Sequence, residues 1–248
     1  MTRPIGKEFM ALTKYRQLGP SDQMRGRPAP PLEAPYDESA PAIPLPPPAE
    51  LGVSAVNLRE LIGQRRSTRD YAPEPLSLAE LSYLLWCTQG VKESVPGVYT
   101  LRTVPSAGAR HALETYLLIN RVENVAPGLY RFLATRHALQ AIPTAPGVAD
   151  RLVVACLGQD LVAASAATWL WSAVPYRMTW RYGERGYRYL HLDAGHVCQN
   201  LYLAAESLGA GVCAIGAFDD DLVNQALGLE GEEEFVIYIA ALGKKAGD

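Results

Sequence analysis

Three arginines stand within five positions of the chain, at Arg65, Arg66 and Arg69, beside the hydroxyl groups of Ser67 and Thr68. Positions 65, 67 and 69 alternate, so an extended backbone would point their side chains the same way. That face would present two guanidinium groups and a hydroxyl, which suit a phosphate or the polar edge of a heterocycle. The alternative is a solvated basic face at the end of a helix, without a ligand.

A second basic pair, Lys244 and Lys245, follows Gly243 near the end of the chain. The preceding run "EFVIYIAALG" predicts a strand, and ligand groups often lie at strand ends in layered folds. The alternative is a charged tail that maintains solubility.

Two further stretches have compositions that suit a binding site. In Thr103–Glu114, the small residues Ser106, Ala107 and Gly108 would let a flat ligand approach the backbone closely, although a plain loop is the default interpretation. The tract Trp180–Tyr189 places three arginines among four aromatic rings. It predicts either a structural belt of cation–π contacts or the wall of a pocket above a flat cofactor.

Several chemistries lack support in the sequence. His191 and His196 are five residues apart, about 140° around a helix, so with Asp193 between them they do not form a chelating pair. We therefore expect no metal site. There is no Gly-x-Ser-x-Gly elbow, no phosphate-binding P-loop and no dinucleotide-binding glycine fingerprint. The four cysteines are far apart and predict neither a disulfide framework nor a zinc site: Cys87, Cys156, Cys198 and Cys213.

The bulk composition limits the class of protein. A chain of 248 residues with 48% hydrophobic content can bury a large core, and we favour a single main domain. The net charge of -3 gives no general attraction to nucleic acid or to an anionic membrane, so any anion site must be local. Neither a signal peptide nor eighteen successive apolar residues occurs. We expect a cytoplasmic protein.

Hydrophobic periodicity predicts the elements that must position the candidate residues. Helices are predicted in "VNLRELIGQR", in "SLAELSYLLWCTQG" with its Ser-x-x-Glu capping box, in "VADRLVVACL", in "DLVAASAA", over Arg188–Leu208 and in "DDDLVNQALGL". Strands are predicted at Glu114–Val122, Gly128–Phe132, "HALQAI", Thr168–Val174, "VCAIGAF" and Glu234–Gly243. Several strands lack simple crossovers, so the pattern favours an α+β layered fold.

The first part of the chain, residues 1–53, differs in composition from residues 54–248. Nine of the 19 prolines lie between Pro28 and Pro48, and proline lacks the backbone donor that helices and central strands need. This segment predicts an extended arm. It is either a disordered leader or an arm that wraps a neighbouring subunit.

Taken in order, "RRSTR", "PSAG", "AIGAF" and the terminal lysine pair resemble the nitroreductase superfamily, and within it the SagB-type (thiazole/oxazole-forming) dehydrogenase branch. The resemblance extends from Ser54 to Lys245, and "TKYRQLGP" with the proline-rich arm resembles the leader of that branch. It implies a three-layer α+β fold with a central mixed or antiparallel sheet flanked by helices. It also implies a homodimer with FMN bound at the subunit interface.

The same resemblance implies roles for individual residues. Within "RRSTR", which includes Arg66, Arg65 would contact the FMN phosphate, Ser67 the polar part of the cofactor, and Arg69 the pyrimidine edge of the isoalloxazine. Three other segments would complete the site, one of them supplied by the partner subunit. These are Pro105, Ser106, Ala107 and Gly108 from the partner, Ile215, Gly216 and Ala217 near the reactive face of the flavin, and Lys244 and Lys245 as a phosphate clamp.

The implied activity is ping-pong hydride transfer through flavin N5, in which a donor and then an acceptor use the same face. The leading expectation is NAD(P)H-driven reduction of nitroaromatic or quinone-type acceptors, with no nucleic-acid or membrane partner. One alternative is an azoline dehydrogenase that acts on a modified peptide. A second is a non-catalytic homologue that binds flavin or a peptide without turnover.

One departure from the branch affects the catalytic residues. Azoline-oxidising members use a Lys-Tyr pair that is implicated in removing the substrate proton, and Arg181 and Tyr182 stand at the matching positions. Arginine stays protonated and is a poor general base, which leaves Tyr182 as the candidate for proton transfer. The departure weakens the case for azoline oxidation more than the case for FMN binding.

Overall fold

The computed structural model describes residues 4–53 and 55–247. The strands are β1 (Ala42–Pro44), β2 (Val91–Val95), β3 (Tyr99–Arg102), β4 (Leu113–Ile119), β5 (Gly128–Leu133), β6 (Ala138–Ala141), β7 (Ala167–Ala173), β8 (Ala210–Ile215) and β9 (Phe235–Lys244). Seven of them form one sheet in the order β1-β6-β5-β4-β7-β9-β8, in which every neighbouring pair is antiparallel. Strands β2 and β3 form a separate hairpin.

Helices cover both faces of the seven-stranded sheet. They are α1 (Ile5–Leu12), α2 (Leu58–Gln64), α3 (Leu78–Gln89), α4 (Val148–Ala155), α5 (Leu161–Ala164), α6 (Pro175–Tyr182), α7 (Gly186–Glu206) and α8 (Asp220–Leu227). Apolar side chains of α3, α6 and α7 pack on one face with Trp169 and Trp171. Those of α4, α5 and α8 pack on the other face with Leu170 and Ile239. The three-layer α+β fold expected from the sequence is confirmed.

Local sequence signals explain the helices that flank the candidate site. Ser77 caps α3 by accepting the backbone N–H of Glu80 at 3.2 Å, and the Glu80 carboxylate accepts the N–H of Ser77 at 2.9 Å. Helix α7 buries residues at a spacing of three to four, which is the pattern of a core helix. Within residues 4–53 and 55–247, none of the helices combines the length and the apolar character needed to span a bilayer.

Two elements beside the candidate site were not predicted from the sequence. Helix α6 begins with Pro175 in its first turn, but its eight residues include Arg177 and Arg181 and few aliphatic side chains, so the segment does not resemble a core helix. The hairpin β2–β3 turns at Gly97, whose φ is 72°. Strand β2 is mostly exposed, so it lacks the alternation of apolar and polar residues that would have revealed it.

The proline-rich arm runs along the sheet of its own chain. Strand β1 pairs with β6 at the sheet edge, and Arg131 donates hydrogen bonds to the carbonyl oxygens of Pro35 and Ala34, both at 2.8 Å. Contact with a second subunit stays a prediction. Three residues at the limits of the predicted domains lie outside the described residues: Met1, Ser54 and Asp248.

A buried ion cluster holds this arm against the sheet. Glu114 on β4 accepts a hydrogen bond from Arg177 at 2.6 Å, from Arg131 at 3.0 Å and from the backbone N–H of Ala34 at 2.7 Å. Burial alone would raise the pKa of Glu114, but the two guanidinium groups outweigh it and lower the pKa. The carboxylate is therefore ionised and ties α6, β5 and the arm together.

Two glycines let the basic segment lie against the sheet. Residues 65–72 run beside β8 and the end of β9, since the N–H of Thr68 donates to the carbonyl of Val212 at 2.9 Å. A Cβ atom built on Gly211 would lie 2.4 Å from Thr68 Oγ1, and one on Gly243 would lie 2.9 Å from the ring of Tyr71. Side chains at either glycine would therefore push the segment away from the sheet.

We expect Gly211→Ala to lower the free energy of unfolding by about 1–3 kcal/mol, because the new methyl group overlaps the branched side chain of Thr68. Gly195→Ala on α7 is the control, since its Cβ meets no atom within 4 Å and alanine favours a helix. Urea denaturation measures both variants. If Gly211→Ala and the wild type have equal free energies of unfolding, the segment does not pack as described.

Candidate functional site

The basic segment meets helix α7 at Tyr202. The guanidinium of Arg65 lies 5.3 Å from the centre of the Tyr202 ring, and Ser67 Oγ lies 3.1 Å from Tyr202 Oη. The same phenolic oxygen accepts the backbone N–H of Ala214 on β8 at 2.9 Å, which leaves its own hydrogen free for Ser67. Arg65 and Ser67 therefore face the same side, and one tyrosine links them to the helix and the sheet.

A second tyrosine holds the backbone that follows. Tyr71 Oη lies 2.8 Å from the carbonyl oxygen of Thr68 and 3.0 Å from that of Ala241, so it bridges the segment and β9. Burial raises the pKa of Tyr71 and keeps the phenol protonated as a donor. Arg69 lies between Thr68 and Tyr71 in the sequence, and its side chain is exposed.

Both C-terminal lysines form ion pairs with glutamates. Lys244 pairs with Glu80, the capping residue of α3, and Lys245 pairs with Glu206 at the end of α7. Glu206 follows Tyr202 by one helical turn, so the Lys245 pair lies on the same face of α7 as the ring that Arg65 contacts. The lysines are half-buried, and an anion at this sheet end would approach them in the presence of the two carboxylates.

The segment Pro105–Gly108 enters a strained loop. Gly108, Ala109 and His111 all have positive φ, at 59°, 52° and 43°. Alanine and histidine rarely adopt this conformation, so the surrounding contacts must hold it. Ser106 Oγ accepts the backbone N–H of His111 at 2.9 Å.

Asp193 on α7 also contacts this loop. Its Oδ1 accepts the N–H of Ala107 at 3.3 Å, while Oδ2 is buried without a hydrogen-bond partner among the described residues. Burial raises the pKa of Asp193, and hydrogen bonds from Ser106 and Ala107 offset only part of that effect.

Arg181 and Tyr182 lie directly against this loop. A Cβ atom built on Gly108 would lie 2.4 Å from Tyr182 Oη and 2.9 Å from Arg181 Nε, so only glycine fits there. Tyr182 also packs edge-on against Tyr189, with 4.9 Å between ring centres. The candidate catalytic pair and the small-residue segment are therefore one structural unit.

The second half of the aromatic tract is structural. Arg185 lies 4.4 Å from the ring centre of Tyr15 and donates to the carbonyl of Thr13 at 3.0 Å. Arg188 donates to Thr13 Oγ1 at 2.7 Å. This half of the tract anchors the N-terminal segment that contains α1, whereas Arg181 and Tyr182 border the loop.

The structure separates the candidate residues into two groups. We call Arg65, Ser67, Tyr202, Lys244 and Lys245 the basic group, and Pro105–Gly108 with Arg181 and Tyr182 the loop group. Their contacts on α7, Tyr202 and Asp193, are nine residues apart. That spacing is about 13.5 Å along the axis and half a turn around it. One chain therefore presents the two groups on opposite faces of α7.

The residues Ile215, Gly216 and Ala217 lie on the side of the basic group. They follow Ala214, which Tyr202 contacts, and the carbonyl of Ala217 accepts a hydrogen bond from Gln159 at 2.9 Å. A Cβ atom on Gly216 would meet nothing within 4 Å, so the backbone there is open to a ligand. Cationic, hydroxyl and open backbone groups together fit a flat, phosphorylated cofactor.

Tyr202 and Tyr71 were not identified from the sequence. In the sequence, Tyr202 is one of several large residues on a core helix, and Tyr71 follows the basic run without a motif of its own. Their roles come from pairing across the fold, since their hydroxyl groups meet strands more than ten residues away.

The chain is similar to proteins of one known family. A family model described as the nitroreductase family matches residues 62–244. A protein of Methanocaldococcus jannaschii, MJ1384, described as a candidate nitroreductase, is 35% identical over 78% of this chain and 93% of its own length. A solved candidate nitroreductase from Anabaena variabilis is 34% identical, with a TM-score of 0.62 over 76% of this chain.

Two of the similar proteins are longer than this chain. The chain spans 38% of the Anabaena variabilis protein. The trifolitoxin-processing protein TfxB of Rhizobium leguminosarum bv. trifolii is 28% identical over 60% of this chain and 41% of its own length.

We expect Asp193→Asn to change how stability depends on pH. The folded-state pKa of Asp193 is raised. The contribution of this carboxyl group to the free energy of unfolding is therefore complete below the unfolded pKa of about 3.9, and it is lost as pH rises through the folded-state pKa. The wild type should therefore lose stability relative to the variant from about pH 4 upward.

Urea denaturation of both proteins at half-unit pH steps measures the difference. Asp221→Asn on the surface of α8 controls for the loss of one charge. A difference between wild type and Asp193→Asn that stays constant with pH would contradict the buried position of this carboxyl.

Proposed function

The chain belongs to the nitroreductase family of flavin-dependent oxidoreductases, and on that premise we propose that it binds FMN as a SagB-type homodimer. The observation that carries this proposal is the extended segment beside β8, which turns Arg65 and Ser67 toward Tyr202. An FMN phosphate needs charge-assisted donors of this kind. The similarity to TfxB supports the SagB-type branch.

The basic group would hold the cofactor. Arg65 would bind the phosphate together with Lys244 and Lys245, whose ammonium groups are directed by Glu80 and Glu206. Arg66 lies on the same segment. Arg69 would lie at the pyrimidine edge and supply a cation that stabilises negative charge on a bound flavin. The open backbone at residues 215–217 borders the reactive face.

The loop group would come from the partner subunit. Because it lies on the opposite face of α7 from the basic group of its own chain, a second copy is needed to bring the two together. Gly108 contacts Tyr182, so the partner that supplies Pro105–Gly108 also supplies Arg181 and Tyr182. A complete site would therefore contain residues of both chains.

Bound FMN would supply reversible two-electron hydride chemistry. Tyr182 would donate or accept a proton at the substrate, since its hydroxyl lies at the edge of the loop. The guanidinium of Arg181 would orient the substrate as a cation. The strained loop from Gly108 to His111 keeps both side chains in position.

The proposed reaction is NAD(P)H-driven reduction of nitroaromatic or quinone-type acceptors by a cytoplasmic enzyme. The second candidate is oxidation of an azoline in a modified peptide, because TfxB is named as a trifolitoxin-processing protein. Arg181 in place of lysine favours the first. A homologue that binds flavin or a peptide without turnover is the third candidate.

Anaerobic absorption spectroscopy tests the proposed function. We expect purified or FMN-reconstituted protein to retain flavin bands after gel filtration, and NADPH to bleach them quickly. Bands that persist with NADPH would favour the peptide oxidase or the non-catalytic homologue. Protein that retains no flavin after reconstitution would overturn the proposal.

We expect Arg65→Ala to weaken FMN binding about ten- to hundredfold, because it removes a charge-assisted phosphate contact worth about 1.5–3 kcal/mol. Quenching of FMN fluorescence measures the dissociation constant. Arg59→Ala, an exposed arginine of α2, the helix that precedes Arg65, is the control and should bind FMN as the wild type does. Unchanged affinity in Arg65→Ala would place the phosphate elsewhere.

A further inference from the structure

A cleft of about 570 Å³ opens beside the loop group. Its walls come from the β2–β3 hairpin, the strained loop and α6, and include Val98, Leu101, Gly108, Arg110, Trp180 and Arg181. Val98 is 54% exposed and Leu101 40% exposed, so the hairpin presents an apolar wall to solvent. The loop that would reach the flavin of the partner subunit thus forms one side of this cleft.

Arg110 is held by contacts with the loop, the hairpin and α6. Its Nε donates to the carbonyl of Gly108 at 3.2 Å and a terminal nitrogen donates to the carbonyl of Val98 at 3.3 Å. Its guanidinium also lies 5.3 Å from the centre of the Trp180 ring. The charged head is therefore held in place before any ligand arrives.

Arg181 brings a second cation to the same cleft. It is exposed, and its guanidinium lies 5.6 Å from the ring centre of Tyr182. Neither Arg110 nor Arg181 forms an ion pair with a carboxylate of the described residues. Burial and the neighbouring Arg181 lower the pKa of Arg110. Two positive charges thus share one concave surface, and neither is paired with a carboxylate among residues 4–53 and 55–247.

We propose that Arg110 and Arg181 bind an anionic group, a carboxylate or a phosphate, on the molecule that reacts at the flavin. The apolar wall of Val98 and Leu101 takes the rest of that molecule. Its role in turnover rests on the proposed function, because the cleft would border a flavin only if its own loop enters the site of the partner subunit. Arginine at position 181 is then a specificity residue, since its planar fork binds oxyanions in pairs of hydrogen bonds.

Two sources could supply the anion, and matched pairs of ligands distinguish them. In one pair, 4-nitrobenzoate is compared with 4-nitrobenzamide, which has the same shape without the charge. In the other, NADP⁺ is compared with NAD⁺, which lacks the 2′-phosphate. None of these ligands reacts with the oxidised protein in the absence of a donor, so isothermal titration calorimetry reports binding alone.

We expect the wild type to bind the anionic member of at least one pair on the order of tenfold more tightly than the neutral or less charged member. Arg110→Gln and Arg181→Gln should each bring the ratio of the two affinities closer to one. Higher salt should reduce it as well, because part of the cleft is open to solvent. Arg136→Gln is the control, since Arg136 makes a similar ring contact with Tyr36 outside the cleft.

The two pairs assign the anion. A preference confined to 4-nitrobenzoate identifies a carboxylate on the acceptor, and one confined to NADP⁺ identifies the phosphate of the donor. The inference is overturned if neither pair shows a preference, or if the preference survives in both arginine variants.

This outcome is separate from the outcome for the proposed function. Protein that binds the anions with the expected preference but never binds flavin would contradict only the proposed function. Protein that binds flavin and reduces neutral acceptors without any charge preference would contradict only the anion site.

Discussion

Helix α7 imposes the constraint on which the candidate site depends. Tyr202 joins its one face to the basic segment and β8, and Asp193 joins the opposite face to the strained loop. The helix has buried residues in every turn from Gly186 to Ala205, so it cannot turn about its axis without opening the core. Two groups with complementary chemistry are therefore held apart within one chain, and the proposed homodimer would bring them together across a subunit interface.

The surrounding packing keeps each group on its own side. Gly211 and Gly243 leave room for the basic segment to join the sheet, where hydrogen bonds to Val212 and Lys244 align it. On the other side, the buried carboxylate of Glu114 ties α6 to the sheet and to the proline-rich arm. Helix α6 ends in Tyr182, so the arm and the ion cluster support the loop group indirectly. Removing one partner of such a buried ion cluster is costly, because it leaves an uncompensated buried charge.

Much of the fold could be predicted because local signals agree with the tertiary structure. The capping box at Ser77 and Glu80, the period of α7 and the apolar runs of β4, β7 and β9 are visible in the sequence. Helix α6 and the β2–β3 hairpin could not be predicted, since their stability comes from contacts with the arm and the loop rather than from propensity.

The candidate site was predictable in part. The motifs indicated which segments of the chain contribute residues to a binding site, but they gave no distances between those segments. The glutamate partners of Lys244 and Lys245, and the contacts of Tyr202 and Tyr71, depend on residues far along the chain. Arg110 stood in the sequence as an ordinary loop residue, and only the fold places it beside Arg181.

The measurement that tests the composite site most directly is FMN binding by mixed dimers. Subunits carrying Arg65→Ala and subunits carrying Pro105→Trp, which adds bulk at an exposed loop position, are given different tags and purified as mixed pairs. If each site takes its basic group from one chain and its loop from the other, one site in the mixed dimer is intact. We therefore expect one tight FMN site per mixed dimer, although each parent homodimer binds weakly. Mixed dimers that bind as weakly as both parents would contradict the account.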